Sequence, residues 1–239
     1  MERGLYASAT GMAATQQWLD LVSHNLANVS TTGFKRDAAV FNDTLQRAMY
    51  NGEGQYIGEL GAGGTMQGRY TVMEVGTLEA TGNALDVAIA TKEGFFAVQT
   101  PNGVRYTRDG SFTLNSDREI TTKDGHPVLD SAGREITLPQ GAIVIDDQGG
   151  VSVDGVLVGE IGVYTGSVMK EGEGLYAGSN MTTVDEPMVQ GGALESSNVN
   201  AIEEMIAMIE LQRIFEMAQR GALSQDEMTQ KLLATLQNR

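Results

Sequence analysis

The chain has 239 residues, enough for one large domain or two small ones with a substantial core. Its formal charge of -15 and pI near 4.4 argue against nucleic-acid or anionic-membrane surfaces, which need clustered Lys and Arg. The absence of cysteine removes disulfides, thiol nucleophiles and thiolate metal sites together.

The opening residues carry no basic segment followed by an apolar run, so no cleavable signal peptide is expected. No stretch approaches the roughly 18 uninterrupted apolar residues of a membrane-spanning helix, so no membrane insertion is expected either. Residues 2–28 instead have the spacing of a helix that packs along a stripe. Leu5, Met12, Leu19 and Leu26 recur every seven residues, and Ser8, Thr15, Val22 and Val29 stand three further on, as in a coiled-coil seam. Gly11 interrupts the helix at a cost of about 1 kcal/mol relative to Ala and lets a neighbouring backbone approach. The helix stops in Asn28-Val29-Ser30-Thr31-Thr32-Gly33, where polar side chains bond local backbone and Gly33 supplies a positive φ.

Ala38 to Tyr50 reads as a short helix or irregular segment with Phe41, Leu45 and Met49 on one face. Asn51 to Gly68 has no period and reads as a loop or extended arm. Its Gly61, Gly63 and Gly64 are not followed by Gly-Lys-Ser/Thr, so no phosphate cradle is expected.

From Tyr70 to about Tyr176 the pattern changes to short strands between turns. Leu85 to Ala90 alternates, Gly94 to Thr100 follows, and Pro101-Asn102-Gly103 turns into Val104 to Arg108. Asp109-Gly110, Asp124-Gly125, Gly149-Gly150 and Asp154-Gly155 mark further turns, and Val158 to Tyr164 reads as one strand. Met181 to Gly192 reads as a polar, Pro-bearing connection into a second helix, Leu194 to Gln219. In that helix Val199, Ile202, Ile206 and Ile209 step 3-4-3, while Ala201, Met205, Met208, Gln212 and Phe215 step 4-3-4-3 on an adjoining face. It is apolar on more than one side. Gln225 to Gln237, with Met228, Leu232 and Leu236, reads as a last helical piece after a break at Gly221.

The two terminal helices are each other's obvious partner, and one antiparallel pair leaves a face of the second bare. Either another chain or the central domain covers that face, and the spacing leaves both open. His24 and His126 lie far apart without carboxylates at metal-ligand offsets, and Asp146-Asp147 and Asp185-Glu186 read as turn residues. No catalytic constellation, metal site or cofactor is expected.

The fold expected is α+β and mainly β: a discontinuous terminal helical coiled-coil stalk plus a central all-β domain of short antiparallel strands. Its divisions are an N-terminal helix over 1–33, an extended arm over 34–69, a β domain over 70–187 and a C-terminal helix over 188–239.

Three stretches carry a resemblance. Asn25 to Lys35 (NLANVSTTGFK) is one; Gly82 to Phe96 with Tyr106 to Phe112 (YTRDGSF) is another; Leu194 to Asn200 (LESSNVN) with the helix to Met217 is the third. In this order they resemble the signatures of the flagellar basal-body rod family, which includes the rod and hook subunits of bacterial flagella. Ser23-His24 departs from the family's more usual asparagine-rich pair. Arg3-Gly4-Leu5-Tyr6 and Thr10-Gly11-Met12 are similar to distal rod members, whereas Gly125 to Leu129 and Leu138 to Ala142 are similar to proximal ones, the subtype favoured here.

The resemblance implies a structural subunit, not an enzyme, that polymerises through its terminal helices into an axial drive shaft carrying motor torque to the hook. It implies export by the flagellar type III apparatus without a cleavable signal, and a place in the periplasmic rod. The implied partners are copies of itself and other rod and hook subunits, with no nucleic acid. The expected assembly interface is Leu5, Met12, Leu19, Val22, Leu26, Val199, Ile202, Met205, Ile206, Ile209 and Phe215, and the expected signature loop is Asn25, Asn28, Thr32, Gly33 and Phe34. The competing expectation is a monomeric binding module, a β domain with a self-packed helical stalk.

Overall fold

A computed structural model describes residues 2–43, 47–50, 56–60, 64–172 and 174–237. Leu5, Phe41, Leu45, Met49, Gly61, Gly63, Leu232 and Leu236 lie outside the residues or side chains described. The chain forms two units: Met1–Ala27, Asp37–Tyr70 and Asn200–Arg239 make the first, and Asn28–Arg36 with Thr71–Val199 the second.

The first unit holds both helices, α1 (Glu2–Ala27) and α2 (Ala201–Gln237). Between them in sequence run β1 (Asp37–Asp43), β2 (Arg47–Tyr50), β3 (Tyr56–Leu60) and β4 (Gly64–Thr71). β1 pairs with β4, and β2 pairs antiparallel with β3. The described residues of Ala38 to Tyr50, expected to be a short helix or irregular segment, and of Asn51 to Gly68, expected to be a loop or extended arm, are therefore extended and paired. Residues four apart share one face of a helix, but four is also a multiple of the two-residue strand period, so that spacing does not separate the two conformations.

α1 packs against α2. Asn25, near the end of α1, meets Glu204, near the start of α2, so the pair runs antiparallel. The second helix starts later than expected. Ile202 N donates to Asn200 Oδ1 at 3.1 Å, which makes Asn200 the N-cap. The residues before it are the β17 strand, which ends at Glu195, and an irregular link. At the far end α2 runs through Gly221 without a break, because the cost of one glycine, about 1 kcal/mol, is carried by a long helix with Arg220, Ala222 and Leu223 around it. No helix among the described residues is long and apolar enough to cross a membrane.

The described residues of the second unit form thirteen short strands. The first six are β5 (Leu78–Ala80), β6 (Val87–Ile89), β7 (Phe95–Thr100), β8 (Gly103–Thr107), β9 (Thr113–Leu114) and β10 (Ile120–Thr121). There follow β11 (Ile143–Ile145), β12 (Gly150–Val153), β13 (Val156–Glu160), β14 (Val163–Gly172), β15 (Leu175–Thr183), β16 (Val189–Gly191) and β17 (Ala193–Glu195). β14, β15, β8 and β7 close a four-stranded barrel, and β11, β12 and β13 form an antiparallel sheet. The Asn-Gly and Asp-Gly turns fall where the sequence puts them. Thr100 pairs with Gly103 across the β7–β8 hairpin, and Val153 pairs with Val156 across Asp154-Gly155, both of which have positive φ (51° and 81°), as a type I′ turn requires.

Two expectations change here. Val158 to Tyr164 is not one strand: the chain leaves β13 and enters β14 after Gly162, whose N–H donates to Leu129 O. Met181 to Gly192 is not simply a connection, since β15 runs to Thr183 and β16 begins at Val189. β15 is mostly solvent-facing, so its Ser, Asn and Thr residues leave no hydrophobic alternation to read. Finally β16 pairs with β6 and β17 with β5, returning the end of the unit to its beginning. The core is continuous: Val87, Ile89, Phe96, Val98, Phe112, Ile120, Val128 and Ile161 pack in one buried cluster. The Phe96 and Phe112 rings meet edge to face, with centroids 5.1 Å apart.

Candidate functional site

The helix pair presents two different faces. In α1, Thr15, Val22 and Asn25 are buried, and Met12, Leu19 and Leu26 are half-buried. In α2 the residues withdrawn from solvent include Ala201, Glu204, Met208, Leu211, Phe215, Ala218, Ala222 and Gln225, a 3-4-3-4-3-4-3 succession along one side. Five of these eight are small or polar. The larger aliphatic side chains lie on the opposite side: Ile202 is 66% exposed, Ile206 53% and Ile209 51%, with Met205 and Met217 exposed beside them. At 100° per residue Ile202, Ile206 and Ile209 fall within about 60° of one another, and Leu211 and Glu204 fall about 180° away.

Of the expected interface residues, Met12, Leu19, Val22, Leu26 and Phe215 are thus withdrawn from solvent, whereas Ile202, Met205, Ile206 and Ile209 form the exposed stripe. Val199 belongs with neither group. It precedes α2 and is buried in the second unit, because the helical stepping that placed it on the stripe runs past the Asn200 cap.

Within the helical unit Asn25 is a hub. Its Nδ2 donates to Asp37 O at 2.9 Å, its Oδ1 accepts from Asp37 N at 3.1 Å, and it reaches Glu204 Oε1 at 3.5 Å. One buried amide therefore closes a ring with the start of β1 and touches α2, leaving few of its hydrogen-bonding groups unused.

The rest of the signature loop belongs to the β unit. Thr31 Oγ1 donates to Asn28 Oδ1, a local turn bond, and Thr32 Oγ1 donates to Asp109 Oδ1 at 2.7 Å. Gly33 has φ 65°, and a Cβ there would sit 2.4 Å from the Arg108 carbonyl carbon, so only glycine fits both the conformation and the space. Phe34 is buried with the Lys170 ammonium 4.0 Å from its ring centroid. Asn198 stitches the segment down: it accepts from Arg36 N at 2.7 Å and donates to Val72 O at 2.8 Å and Glu74 O at 3.1 Å.

Beside Gly33 lies a cluster of buried charges that the spacing of the sequence does not reveal. Glu195 accepts from Lys35 Nζ through Oε1 and from Arg108 Nη1 through Oε2 at 3.4 Å; all three side chains are fully withdrawn from solvent. Gly76 N also donates to Glu195 Oε1 at 2.8 Å. Peptide oxygens take part of the remaining charge: Glu74 O accepts from Lys35 at 2.7 Å, and Lys92 O accepts from Arg108, whose guanidinium lies 5.0 Å from the Phe95 ring centroid and whose Nε has no hydrogen-bond partner among the described residues. Burial lowers the pKa of Lys35 from its ordinary 10.5, outweighing the hydrogen bond and attraction of Glu195 that raise it. Burial likewise lowers Arg108, against the attraction of Glu195. Lys35, Arg108 and Glu195 each lie inside one of the three resemblance-bearing stretches, so stretches distant in sequence meet at one carboxylate.

No arrangement among the described residues suits catalysis. His24 and Asp20 are exposed and line an open cleft of about 450 Å³ in the helical unit with Asp37 and Arg69. No group of three His, Cys, Asp or Glu able to hold a metal ion occurs among the described residues.

Comparison with known proteins gives three matches that overlap the three stretches. Family models match in chain order: "Flagella basal body rod protein" over residues 5–35, "Flagellar hook protein FlgE/F/G D1 domain" over 88–153, and "Flagellar basal body rod FlgEFG protein C-terminal" over 190–235. The chain is 34% identical to the flagellar basal-body rod protein FlgG of Buchnera aphidicola subsp. Schizaphis graminum, across 95% of this chain and 97% of that protein. It is 31% identical to FlgG of Bacillus subtilis across 98% of both chains, and 33% identical to the flagellar basal-body rod protein FlgF of Rhizobium meliloti across 90% of both. With this identity over nearly its whole length, the chain belongs to the flagellar basal-body rod protein family, whose members are structural proteins and not enzymes.

Proposed function

We propose that this chain is a structural subunit of the flagellar rod that polymerises through its terminal helices into the axial shaft carrying motor torque to the hook. α1 and α2 form an antiparallel coiled coil, and the outward stripe of α2 docks on the helices of neighbouring subunits, either copies of this chain or other rod and hook proteins. The chain reaches the periplasmic rod through the flagellar type III apparatus. Its similarity to proximal rod members at Gly125 to Leu129 and Leu138 to Ala142 supports a proximal position.

The observation that carries this reading is the placement of the larger aliphatics. α2 turns Ala201, Ala218 and Ala222 inward and leaves Ile202, Ile206 and Ile209 more than half exposed. A self-contained binding module would cover that stripe itself. Covering it on assembly withdraws roughly 1 kcal/mol per half-exposed aliphatic side chain, on the order of 5 kcal/mol for the five side chains of the stripe. Ile206→Asp tests the reading: rod incorporation is abolished while the β unit stays folded, and a motile flagellum built from the variant would contradict it.

A further inference from the structure

We infer that Glu195 is a positioning residue: its carboxylate fixes the segment leading out of α1 and the segment leading into α2 to one another and to the β unit. Every bond needed for this lies within that unit. From the first segment, Lys35 donates to Glu195 Oε1, and Gly33 N donates to Glu195 O at 2.8 Å. From the second, Glu195 itself sits at the end of β17, three residues before Asn198, whose side chain holds Arg36 N. The β unit contributes Arg108 to Oε2 and Gly76 N to Oε1.

A buried carboxylate that receives three donors from three separate stretches fixes their relative placement more narrowly than apolar packing does. Each donor direction is set, and losing the charge leaves two buried cations without their anion. Two cations share one anion here, so neither can take over the other's role. None of the three charged residues belongs to the apolar cluster around Phe96 and Ile120, and Arg108 packs over the ring of Phe95, which is not a member of that cluster either. Failure of the charge cluster therefore opens the two helix roots locally, as a sub-global unit, without melting the core.

The test is amide hydrogen exchange on the full chain carrying Glu195→Gln, which keeps the side chain's size and removes only its charge. Three amides report the roots: Gly33 N (to Glu195 O), Gly76 N (to Glu195 Oε1) and Asn198 N (to Phe34 O). Two report the core: Ile120 N (to Ile136 O) and Val128 N (to Ile120 O). Exchange at the root amides should rise at least 100-fold and at the core amides less than threefold. Lys35→Met, made in the first segment, should raise exchange at Ser196 N, which lies in the second segment and donates to Thr77 O rather than to the first, a transfer that a merely local packing defect does not produce. Arg108→Lys, a milder change that keeps the charge and shortens the fork, should give a rise of about tenfold and serves where Glu195→Gln does not fold. Unchanged root amides in Arg108→Lys and Lys35→Met, or core amides that open in step with the roots, would overturn the inference.

Discussion

The β unit and the helix pair bury their apolar residues in opposite ways. In the β unit the largest aliphatic and aromatic side chains, Phe96, Phe112, Ile120 and Val98 among them, are almost completely withdrawn into one cluster. In α2 the order is reversed, with alanines, Glu204 and Leu211 turned in and isoleucines turned out. The first pattern is that of a part complete by itself. The second leaves apolar surface that, under the proposed function, a neighbouring subunit covers, and 26- and 37-residue helices offer a long surface for it.

If the β unit is complete, a cavity in it should be costly without any assembly partner. Phe96→Ala removes a fully buried ring and its edge contact with Phe112, and should cost about 3–5 kcal/mol in urea unfolding of the isolated chain. A loss below 1 kcal/mol would mean that the barrel and its neighbours do not form one core. A smaller effect is expected within the helical unit. Asn25→Ala removes both bonds to the Asp37 backbone and should cost about 2 kcal/mol, read as earlier loss of helical circular dichroism with the β signal unchanged.

The subtlest effect is a pH dependence. The folded-state pKa of Lys35 is below its ordinary 10.5 because burial disfavours its charge. Between the lowered value and 10.5 the unfolded chain therefore binds more protons than the folded one, and stability from this group rises with pH through that window. Lys35→Met removes the rise. The stability difference between parent and variant, measured by urea midpoints from neutral pH to about pH 10, should shift steadily in favour of the parent; a flat or opposite trend would mean that Lys35 is not held in a dehydrated site.

How much of this could be read beforehand depends on whether neighbours in sequence or neighbours in space define the feature. The seven-residue recurrence from Met12 to Leu26 and the turns at Asn102-Gly103 and Asp154-Gly155 are local signals, and the helix and both hairpins lie where those signals put them. The two-faced character of α2 was also local, since it follows from counting apolar steps. Its start was not, because Leu194 and Val199 continue the helical count up to a cap that only the Asn200 side chain defines. β1 and β2 escaped because the four-residue spacing of Phe41, Leu45 and Met49 suits strand and helix alike, β3 and β4 because Asn51 to Gly68 has no period to read, and β15 because an exposed strand need not alternate.

The charge cluster was least legible. Lys35 and Glu195 are 160 residues apart, Arg108 and Glu195 are 87 apart, and each alone is indistinguishable from a solvated surface charge. The only hint was that each sits inside a stretch resembling the family's signatures. Gly33 shows the same division: its positive φ was readable as a helix stop, but the Arg108 backbone that excludes a side chain was not.

The central claim is that the outward stripe of α2 is solvent-facing in the free subunit and covered in the rod. The chain contains no cysteine, so Ile206→Cys introduces a single thiol whose reaction with a soluble maleimide can be timed in the purified monomer and in assembled rods. Reaction in the monomer at the rate of a free thiol, slowed at least 100-fold on assembly, is the result predicted. Equal rates in the two states would mean that the stripe faces solvent in the rod as well, and that subunits are joined through another surface.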